Sequence, residues 1–338
     1  MKHHFLILPV ALLLLLSITA TAFAAPKVIR VSFNVASGST WDVGAQKFKQ
    51  LLEERSQGAF AVEIYPNATL ASGNDRVELE MTQAGVIDIV MKSTVWLGQM
   101  DRRFFAVALP WIFQDAEMAL EFMDGKIGQM LSSDLGKNIG LYPLAWGSGS
   151  FFQLYSNKGP IKTPADIQGV KIRVPGNELF VSTWREIGAV PVTMSFGEVF
   201  PALQSGAIDG GTSPIPLIYS SKFYDISKHV CVNNVVFEAI GLIVGGPFWN
   251  SLNADQKKLV QEAATEAMSF QREEAMKEEG RFVEELKKNG VTVTVLSAAE
   301  LAAFKEKAQP VYAESYKNFG EDFMKQVDEE VKRLSAGR

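Results

Sequence analysis

The strongest constraint on this chain is a hydrophobic period that keeps switching between two and three to four residues. Val28 to Val35 reads as a strand, and Ser39 or Thr40 caps a helix whose apolar Val43, Phe48, Leu51 and Leu52 lie near one face. Phe60, Val62 and Ile64 alternate as a second strand, broken by Pro66-Asn67. A helix from about Asn74 to Ala84, closed by Gly85, leads into a buried strand over Val86 to Met91. Strands and helices alternating at this spacing predict an α/β fold with a mainly parallel sheet.

The pattern continues. A helix from about Ala116 to Met123 ends at Asp124-Gly125, and Leu141 to Trp146 forms another strand. The small residues Gly147 to Ser150 that follow resist backbone rotation little and are the expected first crossing between two lobes, with the second starting at Phe151. Val170 to Val174 is a short strand, Asn177 to Ile187 a helix stopped by Gly188, and Val190 to Val192 a strand. Ser195 and Glu198 make a capping box for a helix reaching Gln204, and Ala207-Ile208-Asp209 begins the next strand. Gln83 to Asp88 and Gln204 to Asp209 echo one another: helix end, glycine, apolar pair, aspartate. If the echo is structural, the lobes carry the same sheet edge, and open α/β sheets bind ligands at the carboxyl ends of their strands.

The last part is mostly helical. Asn253, with Gln256 three residues on, caps a run to Lys288 that spans about 54 Å, enough to pass along both lobes. A strand over Val291 to Leu296 and a helix capped by Ser297 and Glu300 come next. Tyr312, Tyr316, Phe319, Phe323, Val327, Val331 and Leu334 form the core stripe of one further helix.

Met1 to Ala24 has the charged start, apolar run and Ala22-Phe23-Ala24 ending of an export signal cleaved before Ala25. The run is too short for a membrane-spanning helix, which needs roughly 20 apolar residues, and no later segment is apolar enough. Losing Lys2 with it takes the formal net charge from −5 to −6, the wrong sign for nucleic-acid binding. Cys231 is the only cysteine, so no intramolecular disulfide forms, and the fold must stand on its core. Apart from His3 and His4 of the leader, His229 is the sole histidine, which leaves no zinc cluster. Gly147-Ser148-Gly149 lacks the third glycine of a nucleotide loop. Neither metal nor cofactor is expected, and binding is a stronger reading than catalysis.

Arg173 stands out. With Val170, Ile172 and Val174 toward the core, alternation sends it to the opposite face, where a guanidinium needs an anion or water. Two readings follow from the local pattern: a structural pair with Asp or Glu, or a fork gripping a ligand carboxylate.

From Lys171-Ile172-Arg173-Val174-Pro175 outward, the chain resembles the solute-binding proteins of TRAP transporters, tripartite ATP-independent periplasmic uptake systems of the DctP type. The resemblance is carried by Glu54-Arg55-Ser56-Gln57-Gly58, Tyr65-Pro66, Ala108-Leu109-Pro110, Asp124-Gly125, Ser156-Asn157, Gly188-Ala189-Val190-Pro191, Glu198-Val199-Phe200, and Ala202-Leu203-Gln204 through Gly206 to Asp209-Gly210. It implies a two-lobed periplasmic binding protein, type II-like, with the long helix bridging the lobes. Lobe 1 would comprise residues 25–149 plus about 239–278, and lobe 2 residues 150–238 plus about 279–338, with the ligand cleft between them. By position Arg173 matches the arginine that grips the ligand carboxylate, Phe196 an aromatic that packs on the ligand, and Ser213 the place of an asparagine bonding the same carboxylate. Asp75 completes this candidate set.

The chain also departs from that pattern. Where sugar-acid binders of the family carry a second arginine it has Phe152, preceded by Phe151; where they have Glu and Arg it has Ser93 and Trp96; and Gly211-Thr212 replaces Gln-Glu. One arginine among aromatics favours a single carboxylate on an apolar body, such as an indole-type or phenyl 2-oxo, 2-hydroxy or amino acid. The expected partners are that carboxylate and the small and large membrane subunits of a TRAP transporter. Two alternatives stand: the same binder serving a sensor kinase or chemoreceptor, and a periplasmic enzyme using His229.

Overall fold

Two β-α-β-α-β units built to one plan make up the two ends of the sheet. In the first, β1 (Lys27–Ser32), α1 (Thr40–Arg55), β2 (Phe60–Tyr65), α2 (Asp75–Gln83) and β3 (Ile89–Ser93) place β1 between β2 and β3, all parallel. This computed structural model describes residues 25–338, so the expected leader lies outside the described residues. Ser39 caps α1 and Asn74 caps α2, each accepting from backbone N–H groups of the first turn. The short α3 (Thr94–Leu97) follows β3, and α4 (Ala116–Asp124) and α5 (Lys126–Ile139) precede β4 (Leu141–Ser156).

The second unit repeats the first. β5 (Lys171–Val174), α6 (Glu178–Ile187), β6 (Val190–Thr193), α7 (Val199–Gln204) and β7 (Gly210–Pro214) put β5 between β6 and β7, again parallel. The Ser195–Glu198 capping box forms as expected, on a turn of 3-10 helix that runs into α7. Between Asp209 and Asn253 the local pattern predicts only the start of one strand. There the chain builds β7, then α8 (Ile215–Ser220), β8 (His229–Val232), β9 (Phe237–Gly245) and α9 (Gly246–Asn250).

β4 and β9 join the two units, and they change the character of the sheet. The strand order is β2-β1-β3-β9-β4-β7-β5-β6, with β8 on β4 and β10 (Thr292–Val295) on β8. β9 runs antiparallel to β3 and β4, and β4 antiparallel to β7 and β8, so the sheet is mixed rather than mainly parallel. The reason is topological: a strand returning between halves enters from the opposite end. Gly147 to Ser150, the expected crossing, lies within β4, with a register shift between Ser148 and Ser150 and a left-handed Ser150 at φ +75°.

The 35-residue α10 (Ala254–Lys288) packs on α1 and β4 and further along on α8 and β10, so it lies against both ends of the sheet. Its Gln271 is buried and ties the shared strand: Oε1 accepts from Ser148 N, and Nε2 donates to Ser148 O and to Thr40 O. After α11 (Ala298–Lys307) the C-terminal stripe is two helices, not one. Gly320, at φ +93°, separates α12 (Gln309–Phe319) from α13 (Glu321–Ser335). α12 packs on α6, while α13 packs on α4 and α5. Ile29, Val31, Phe48 and Leu52 pack with Val260, Ala264 and Met268 on one side of the β1–β3 sheet. Val90, Leu131 and Leu135 pack with Met324 and Val327 on the other.

Candidate ligand-binding site

The parallel strands of both units point their carboxyl ends at one cavity, where open α/β sheets ordinarily bind ligands. Asn34 and Val35 follow β1, Trp41 begins α1, and Trp96 follows β3; Arg173 and Pro175 end β5, Phe196 follows β6, and Ser213 and Pro214 end β7. Phe152 of β4, Leu217 of α8 and Glu238 of β9 close the lining. About 20 Å³ of free space remains, enough for a water or two. A four-carbon acid needs several times that volume, so the walls must move apart to admit one.

Arg173 sits between the fully buried Ile172 and Val174, and it too is buried, at 2% exposure. Its Nε and Nη2 donate to the Met194 carbonyl at 3.2 and 3.0 Å, and its Cζ lies 5.8 Å from the Phe196 ring centroid. Among the described residues no carboxylate reaches it at salt-bridge distance. Burial pulls its pKa down, against the field of Tyr155, Asp75, Glu238 and Glu198, but a guanidinium keeps its proton. The structural pair with Asp or Glu is therefore not formed, and N–H donors are left facing the cavity.

Five expected site residues, Arg173, Phe196, Ser213, Phe152 and Trp96, share this lining. Phe152 meets Phe180 edge-on, with centroids 4.8 Å apart. Asp75 and Ser93 stand one step behind the wall. Asp75 is occupied by the ammonium of Lys92 at 2.7 Å, by Asn34 Nδ2 and by the backbone N–H of Phe196 at 3.2 Å. Lys92 also reaches Glu78 at 2.6 Å; burial works against its charge, but the two carboxylates outweigh that and raise its pKa. The Ser93 hydroxyl accepts from Val95 N. His229 pairs with Thr292 between β8 and β10 and takes no part in the lining.

Three lining residues with polar side chains were not expected from the sequence: Asn34, Trp41 and Glu238. Each holds a buried polar atom with no partner, namely Asn34 Oδ1, Trp41 Nε1 and Glu238 Oε2. A signal for Glu238 was present, since it is the one charge in the apolar run from Val235 to Val244. A larger and more open groove of about 390 Å³ lies elsewhere, between Asp124, Trp146 and Arg272. Arg272 is already forked onto Asp124 at 2.6 and 2.8 Å, with Nε on the Trp146 carbonyl, so that groove offers no unsatisfied cation.

The model of the bacterial extracellular solute-binding proteins, family 7 (DctP), matches residues 31–318. The chain belongs to that family. It is 33% identical over 308 residues to the C4-dicarboxylate-binding periplasmic protein DctP of Rhodobacter capsulatus, covering 90% of this chain and 91% of that one. A periplasmic TRAP solute-binding protein from Ralstonia eutropha, solved with (S)-2-acetolactate, superposes with a TM-score of 0.86 at 27% identity, covering 90% and 99% of the two chains. One from Polaromonas, solved with D-erythronate, gives 0.85 at 31% identity, covering 89% and 98%. The two-lobed architecture of these DctP-type proteins accounts for the doubled sheet unit and the helix laid along both ends. They are periplasmic proteins of transport. No described helix of this chain is long and apolar enough to cross a membrane.

Proposed function

We propose that this DctP-type protein captures a small organic acid by a single carboxylate at Arg173 and delivers it, lobes closed, to the membrane subunits of a TRAP transporter. The observation that carries the reading is a buried guanidinium, free of any acidic partner among the described residues, on the wall of a cavity drawn from both ends of the sheet. Residues 25–149 with about 239–278 form one lobe, and 150–238 with about 279–338 the other. α12 and α13 lie across that division, against α6 and against α4 and α5. The leader, Met1 to Ala24, is removed before Ala25.

Trp41, Trp96, Phe152 and Phe196 offer aromatic faces to the body of the ligand, which supports an indole-type or phenyl acid. The small free volume supports a second reading, a compact branched 2-oxo or 2-hydroxy acid seated with less rearrangement. Micromolar affinity requires about −8 kcal/mol, and a charge-assisted pair supplies roughly 1.5 to 3 kcal/mol, so apolar burial contributes most of the rest.

Titration calorimetry with phenyllactate, indole-3-lactate, 2-acetolactate, succinate and sialic acid tests the reading. A monocarboxylate is expected to bind tightest, and R173K to weaken it strongly, because the fork is lost while the charge stays. A clear preference for succinate or sialic acid rejects the ligand class. Unchanged affinity in R173K rejects the anchor.

A further inference from the structure

Arg173 satisfies only one end of an acid. On the same lining stands Glu238, 4% exposed, with Oε2 unpartnered and no cation within salt-bridge distance among the described residues. The backbone makes room for it: a Cβ at Gly149 would lie 2.5 Å from Glu238 Oε2 and 2.7 Å from its Cγ. Gly149 of β4 thus leaves the space that this carboxyl fills.

The charged groups around Glu238 come from three elements. They are Arg173 on β5, Asp75 on α2 and Lys92 on β3. Behind the wall Lys92 is already paired with Asp75 and Glu78, which with Arg173 makes two charges of each sign. An ionised Glu238 would add an unpaired negative charge, and a bound carboxylate a second. Such a site would repel the anion that Arg173 is placed to attract.

We propose, resting on the carboxylate-binding reading above, that Glu238 enters the complex uncharged and donates a hydrogen bond to the 2-oxo or 2-hydroxy oxygen of an acid held at Arg173. It thereby selects oxo and hydroxy acids over amino acids, whose ammonium would require the ionised form. Asn34 Oδ1, the second unpartnered oxygen of the lining, accepts from a ligand hydroxyl. Burial raises the Glu238 carboxyl to about 8, while hydrogen bonding to Ser93 and the charge of Arg173 pull the other way. Binding then falls as pH rises past that value, by up to tenfold per pH unit, because the competent form is the protonated one.

The test is calorimetry at pH 6.5 and pH 9.5 on wild type, E238L and E238Q, with phenyllactate, indole-3-lactate and pantoate, each against its counterpart lacking the 2-hydroxyl. Wild type is expected to bind hydroxy acids at least tenfold more weakly at the higher pH, and E238L to lose about tenfold at the lower. E238Q, with an N–H donor in the same place, recovers most of that loss and no longer responds to pH. Pantoate showing this pattern while the aromatic acids fail to bind supports Glu238 and refutes only the aromatic body. E238Q losing as much as E238L overturns the proposal, because an ionised carboxylate is then required. So does a wild-type affinity that is flat to pH 9.5, or a Glu238 carboxyl that titrates in the ordinary range by carbon NMR of the ligand-free protein.

Discussion

Asp88 and Asp209 do the same job in the two halves of the sheet. Asp88 accepts from the backbone N–H of Arg30 at 2.8 Å and donates its own N–H to Arg30 O; Asp209 does both with Lys171, at 3.0 and 2.7 Å. Each follows a helix closed by a left-handed glycine, Gly85 or Gly206, and by a wide bond, Val86 N to Met81 O or Ala207 N to Ala202 O. The short sequence echo is therefore a structural repeat. It locks β3 onto β1 and β7 onto β5 in one register, which brings their carboxyl ends to the same cavity.

The repeat predicts an acid-sensitive contribution to stability. Burial raises the Asp209 carboxyl, but the Lys171 N–H bond and Lys158 outweigh it and hold it below the usual range. A depressed folded value means stability that is present above the unfolded pKa of about 3.9 and lost as pH falls through the folded one. D209N is expected to cost about 1 to 2 kcal/mol near neutrality and to flatten the acid limb below pH 4, as measured by urea unfolding across pH.

Arg173 should be expensive to keep. A buried guanidinium without an acidic partner costs solvation that an apolar side chain of similar length does not. R173M is expected to raise Tm by about 3 °C in the ligand-free protein while removing carboxylate binding, which calorimetry and thermal melts together would read. A lower Tm would indicate that its bonds to Met194 O serve the fold.

Gln271 stitches α10 to the shared strand. Q271L leaves Ser148 N, Ser148 O and Thr40 O without their side-chain partner inside the protein, so a loss of about 2 to 4 kcal/mol is expected. Denaturant unfolding measures it, and a loss below 1 kcal/mol would show that the strand does not depend on this tie.

Gln99 donates to the Gly176 carbonyl at 2.7 Å, joining the segment after α3 to the turn after β5. Asn177 Nδ2 to Val95 O and Arg102 to Glu178 cross at the same place. On the proposed division Val95, Gln99 and Arg102 belong to one lobe and Gly176, Asn177 and Glu178 to the other, so these bonds would form only with the lobes together. Q99A should therefore speed ligand release about fivefold and leave the association rate alone, as followed by stopped-flow fluorescence. A slower association with unchanged release would place the contact in the open form instead.

Much of the fold was legible because its signals are local. The Ser39 and Asn253 caps, the Ser195–Glu198 box, the glycine helix stops and the alternation around Arg173 depend on neighbours within a few residues, and all formed where the sequence placed them. Strand order has no such signal. That β9 would slot between β3 and β4, reversing direction at the sheet centre, depends on faces buried between residues 86 to 155 positions apart. The candidate site divides along the same line. The chain alone put Arg173 on the far side of its strand from Ile172 and Val174. Only the folded sheet carried Asn34, Trp41 and Glu238 to that cavity, and drew Asp75 behind its wall by giving it Lys92, because pairing and burial are settled by what meets in space.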